Sequence, residues 1–151
     1  MACRLYMQDV GEAYPPLSSN GKGWAEIVAQ YPKHGAELSC PTGETSEILS
    51  SDYFFNARLA GIKDIKVKNP VWVIAFGDGP DNGPTNSHLS ELPTHLDNRV
   101  QSFSTRHAVG ANYLFADYHV KYIAPSSFED EPILELESGK MRSSTFDPFS
   151  K

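Results

Sequence analysis

The side chains best suited to chemistry gather in RHAVGANYLFADYHVKY, residues 106 to 122, where His107, Asn112, Asp117 and His119 fall within two short aromatic-rich runs. A histidine and a carboxylate can pass a proton, and two histidines with a carboxylate can ligate a metal. Catalysis also needs a nucleophile or a further group placed by the fold, and the chain carries no serine elbow, HExxH or paired-carboxylate motif. The economical reading is therefore structural. His107 bonds the backbone or Asp117, and Asp117 caps the turn between the two runs. Convergence of His107, Asp117 and His119 on a metal is the alternative, and a hydrolase using His107 and Asp117 ranks last.

A second group lies in FGDGPDNG, where Asp78, Asp81 and Asn82 set oxygen donors among glycines. Oxygen donors suit Ca2+, yet the spacing departs from the EF-hand loop, and turn formation without metal is the simpler account. Cys3 and Cys40 stand far apart with no CxxC, which excludes a zinc knuckle or a thioredoxin-type motif. One disulfide or two free thiols remain. Trp24, Tyr53, Phe54, Phe55, Trp72, Phe76 and Phe115 read as core rather than as a platform for glycans.

These groups must be positioned by 151 residues with 40% apolar content, enough for one core and one domain. The net charge of -6 and the scattered Lys and Arg offer no basic stripe to a phosphate backbone, so nucleic acid is not an expected partner. No apolar run approaches the ~18 residues that span a bilayer, and the N-terminus has no signal-peptide core.

Ala2, Leu5, Tyr6, Val10 and Ala13 recur at helical spacing and predict a first helix of about three turns, stopped by Tyr14-Pro15-Pro16, with Gly11 as an interior cost of roughly 1 kcal/mol. WAEIVAQYP predicts a short second helix with Trp24, Ile27, Val28 and Tyr31 on one face. SDYFFNARL, NPVWVIAFGDG and VQSFSTRH read as strands, and residues 77–98 as a long surface loop rich in Pro, Gly and turn formers.

NYLFADYHVKYI predicts a hairpin. With Asp117-Tyr118 as a two-residue turn, Phe115 faces Val120 and Tyr113 faces Tyr122, and those four residues form the core face. Tyr118 would then need a positive φ that costs it roughly 1 to 2 kcal/mol, which leaves room for a longer or bulged turn.

His107, nine residues and Asp117, set in RHAVGANYLFADYHVKYI, resemble the C-terminal signature of prepilin-type processing-associated proteins, pilin-like and pseudopilin-like chains abundant in planctomycetes. CRLYMQDVGEAYPP is similar to that family's helix end, Trp24, Tyr31-Pro32 and Cys40-Pro41 to its W, YP and CP positions, and Tyr53 with Asn56 to its Y-x-x-N. The likeness covers most of residues 3 to 123. Tyr118 stands where the family has the turn glycine, and residues 125–151 exceed the usual length.

The resemblance implies an α+β fold in which residues 1–14 are the remainder of a pilin-type helix, 15–124 a globular head on a small antiparallel sheet with long surface loops, and 125–151 a tail. It implies a non-enzymatic subunit of a bacterial cell-envelope or extracellular filament of the type IV pilus or type II secretion kind. Partners would be copies of itself or other pilin-like subunits, with membrane contact only through an upstream helix that this chain lacks. Leu5, Tyr6 and Val10 would serve assembly, as would Ile133, Leu134 and Leu136 if the tail adds a strand to a neighbour. An oxidising compartment would favour a Cys3–Cys40 disulfide, worth about 3–4 kcal/mol. No cofactor is implied beyond a loop Ca2+ of the kind pseudopilins hold. A soluble ligand- or metal-binding module using loop 77–98 is the alternative of another class.

Overall fold

The computed structural model describes residues 2–31, 38, 40–41, 50–84, 107, 110–123 and 148–149, with residues 50 and 79–84 described as backbone only. Two short helices pack on a four-stranded antiparallel sheet, an α+β arrangement.

Helix α1 runs Ala2–Asp9 and buries Cys3 and Met7. It stops where Gly11 takes φ +80°, Val10 N–H donates to the Tyr6 carbonyl and Glu12 N–H to the Met7 carbonyl at 2.7 Å. That six-to-one bond past a left-handed glycine is a Schellman ending, so Gly11 terminates the helix and is not an interior residue. The expected ending at Tyr14-Pro15-Pro16 is therefore corrected. So is the expected stripe: Val10 is 42% exposed, and Cys3 and Met7 face the core with Ala2 and Tyr6 packed beside them.

Strands β1 (Ser18–Ser19) and β2 (Lys22–Gly23) form a hairpin whose central Asn20 and Gly21 both take positive φ, the turn Asn-Gly favours. Helix α2, Trp24–Ala29, follows at once, and the Glu26 carboxylate accepts the Gly23 N–H at its start. It buries Trp24, Ala25 and Val28, while Ile27 is only half-buried.

The sheet is built from β3 (Ser50–Phe55), β4 (Ile74–Pro84), β5 (Ala111–Phe115) and β6 (Val120–Ile123), in that spatial order. Because strand side chains alternate, Phe54 and Phe55 enter opposite faces. Phe55 joins Trp24 at 5.6 Å and Phe76 at 4.9 Å between ring centroids, in the cluster that holds Cys3, Met7, Tyr14, Val28 and Leu59 under the helices. Phe54 joins Ile74, Ala111, Tyr113, Phe115 and Ile123 on the other face. Trp72, expected in the core, is 41% exposed.

Residues 77–84, expected in a surface loop, extend β4 instead, pairing Gly83 with Ser51 and Pro84 with Ser50. The pairing shifts between Ser51–Gly83 and Tyr53–Asp78, so Asp52 on β3 stands opposite 79–82 on β4. A bulge of that size lets a turn-rich run stay in the ladder. Residues 85–98, VQSFST and the tail segment Ile133, Leu134 and Leu136 lie outside the described residues. The tail's end returns to the head, where the Pro148 carbonyl accepts the Lys68 N–H at 2.8 Å.

The β5–β6 hairpin exists, one residue out of the expected register. Leu114 pairs with Val120, Tyr113 with Lys121, Asn112 with Tyr122 and Ala111 with Ile123. Phe115 N–H donates to the His119 carbonyl and Tyr118 N–H to the Phe115 carbonyl, each at 2.9 Å, enclosing a three-residue turn in which Tyr118 takes φ 73°. A left-handed residue at the last position is what three-residue hairpin loops commonly use. A slip of one residue exchanges faces, which is why Val120 and Tyr122 are exposed and not in the core.

Candidate functional site

Gly110 is where the geometry of the site begins. A Cβ there would come within 2.6 Å of the Tyr122 ring and 2.7 Å of the Ile123 carbonyl, so only glycine lets the chain enter β5 this close to β6. The same approach fixes His107: its N–H donates to the Gly110 carbonyl at 3.1 Å, and its carbonyl accepts the Tyr122 hydroxyl at 3.0 Å. With its backbone held on both sides, the His107 ring points to β4 and to the segment that precedes β3.

There its Nε2 lies 3.5 Å from the Cys40 Sγ and 3.5 Å from the Asp78 Oδ2. The three donor atoms fall within 4.8 Å of one another, and theirs is the one such convergence among the described residues. Asp78 is 2% exposed and Cys40 is buried, whereas the His107 side chain keeps 28% of its surface open. Asp52, also buried, accepts the Cys40 N–H at 2.7 Å and fixes the cysteine backbone. A proton relay through histidine places its two partners on opposite ring nitrogens. Here one nitrogen meets both, so the trio is arranged for convergence on a point.

The turn forms a separate group. Asp117 Oδ1 accepts the His119 N–H at 3.2 Å and contacts His119 Nδ1, and the His119 ring stacks on Phe115 at 4.3 Å. His107 and Asp117 stand at opposite ends of β5, which at about 3.3 Å per residue separates them by roughly 15 Å or more. The expected bond between them, and the His107, Asp117, His119 metal set, are thus corrected. Asn112 projects from β5 as an exposed residue paired with Tyr122.

Arg4 ties this turn to α1. Its Nη1 donates to the Tyr118 hydroxyl at 3.1 Å and to carboxylates of Glu12 and Asp64, and its guanidinium lies 5.0 Å from the Tyr118 ring centroid. The buried Tyr14 hydroxyl adds a bond to the Ala116 carbonyl at 3.1 Å.

Comparison with family models, with curated proteins and with solved structures finds no match. The site is therefore read from its own geometry.

Cys3 and Cys40 are both free thiols, which corrects the expected disulfide. Cys3 packs with Met7 and Trp24 beneath α1, and burial pushes its thiol up to about 12, while Cys40 faces His107. Of the calcium trio, Asp78 turns to a sulfur and a nitrogen, and the side chains of Asp81 and Asn82 lie outside the described residues. Sequence reasoning missed Cys40 as a partner of His107 and Asp78, because these residues lie on three segments that only the sheet order brings together. It also missed Arg4, whose sole signal was a cation in an otherwise apolar first turn.

Proposed function

We propose that the chain is a non-enzymatic, pilin-like or pseudopilin-like structural subunit of a bacterial cell-envelope or extracellular filament. The observation that supports this reading is the latch between the signature hairpin and the leading helix. Asn112 and Asp117 lie in the β5–β6 hairpin, with His107 and Gly110 bridged at its open end, and the turn of that hairpin is bonded to α1 through Arg4 and to the helix exit through Tyr14.

A head whose signature turn is latched to its leading helix transmits contacts made along that helix to the sheet. The partners are copies of this chain or related subunits, reached through the half-buried Leu5 and Tyr6 and the exposed Val10, and through the tail 125–151. Many modest contacts repeated along a filament supply the avidity. Immunogold electron microscopy of cells of the native source tests this. Gold along filaments of regular width is expected, and gold confined to the cell interior counts against the reading.

A ligand- or metal-binding module built around β4 is the second reading, favoured by the convergence of Cys40, Asp78 and His107.

A further inference from the structure

We propose that Cys40, Asp78 and His107 bind one divalent transition-metal cation of the zinc class. The site is independent of the filament reading.

The separations suit such a cation. With Zn–N and Zn–S bonds of about 2.05 and 2.3 Å, a tetrahedral centre holds its nitrogen and sulfur ligands about 3.5 Å apart and its nitrogen and oxygen ligands about 3.4 Å apart. His107 Nε2 lies 3.5 Å from both Cys40 Sγ and Asp78 Oδ2, so the protein presents edges of that tetrahedron.

Donor chemistry selects among metals. A thiolate, an imidazole and a carboxylate together match zinc and its neighbours, whereas Ca2+ takes oxygen ligands alone. On binding, the Cys40 thiol releases its proton to solvent and the sulfur takes the metal, while neutral His107 donates its Nε2 lone pair. Thiolate and carboxylate then carry two negative charges, which a divalent cation balances in a site whose sulfur and carboxylate are buried.

The ligands are also held in advance. Asp52 fixes the Cys40 backbone, the Gly110 and Tyr122 bonds fix His107, and Asp78 sits in the ladder opposite Tyr53. Three protein ligands leave the fourth position on the open His107 side for water.

The test is a Co2+ titration of the full chain after treatment with a chelator, followed by optical absorption. A thiolate-to-cobalt charge-transfer band and visible bands of tetrahedral intensity are expected, saturating at one cobalt per chain and abolished by Zn2+ but not by Ca2+. Cys40→Ser should remove the charge-transfer band, and Cys40→Ser and His107→Gln should each weaken Zn2+ binding by at least ~10–100-fold. His119→Gln, outside the trio, should change neither. A folded wild-type chain without the charge-transfer band overturns the site whatever the variants do, and so does a band that persists in Cys40→Ser or one that Ca2+ abolishes.

Discussion

Arg4 reaches from the first turn of α1 to Tyr118 in the β5–β6 turn, donating to its hydroxyl at 3.1 Å and lying 5.0 Å from its ring centroid. The Tyr118 hydroxyl in turn donates to the Met7 sulfur at 3.5 Å. A residue that adopts φ 73° against its steric preference thus forms the latch between helix and sheet.

The latch sets two opposing effects on one residue. Tyr118→Gly relieves the left-handed strain while losing the Arg4 and Met7 contacts, whereas Tyr118→Ala loses the contacts and keeps the strain. Chemical denaturation should rank wild type above Tyr118→Ala, with the glycine variant more stable than the alanine variant by about 1 kcal/mol. Equal stability of the two would show that the turn is not left-handed at this position.

Gly77 lies between two cross-strand neighbours, Phe54 on β3 and Tyr113 on β5, whose rings come within 6.5 Å of each other, centroid to centroid. A Cβ at Gly77 would meet them at 2.6 and 2.7 Å. Gly77→Ala is expected to cost about 1–3 kcal/mol by overpacking, measured as a drop in the denaturation midpoint at unchanged slope. Because both rings belong to the second cluster, Phe54→Leu should restore part of the loss.

Asn56 is buried at the end of β3, where its Nδ2 donates to the Ile74 carbonyl at 2.8 Å and its Oδ1 accepts the Arg58 N–H at 3.0 Å, capping the 3-10 turn Ala57–Leu59. Asn56→Ala leaves one buried carbonyl and one turn N–H without these bonds. A loss of about 2–3 kcal/mol is expected by thermal or urea unfolding. Asn56→Asp keeps the cap but removes the donor to Ile74, and should fall no less than the alanine variant.

The hairpin was legible because aromatic and β-branched residues alternate through 113–123. Its register was not, since one further residue in the turn exchanges the faces, and only the left-handed Tyr118 reveals it. Gly11 was misread for a related reason: a glycine costs stability within a helix and ends one favourably, and the apolar spacing alone does not separate the two. Residues 77–84 carried the composition of a loop, and pairing with β3 across a bulge overrode it. The Cys40, Asp78 and His107 trio had no spacing to betray it, because convergence came from strand order.

Alkaline pH should destabilise the fold. Burial raises the Cys3 thiol from 9.0 to about 12, and burial likewise raises Tyr14 and Tyr113 above their usual 10.0. Each group holds its proton more tightly folded than unfolded, so the stability it contributes is complete below its unfolded value and declines as pH rises toward its folded one. Urea midpoints should hold up to about pH 9.0 and then fall. In Cys3→Ala the fall should begin nearer 10.0, where the tyrosines take over. An unchanged onset would mean that Cys3 does not contribute.

Assembly is the central claim, and Val10, 42% exposed on the helix end, is the position from which to probe it. A photo-cross-linking amino acid placed at residue 10 of the protein as its native cells produce it reads out the neighbours directly. A ladder of adducts with further copies of this chain or with other pilin-like subunits is predicted, and illumination that leaves the chain as a monomer would contradict the account.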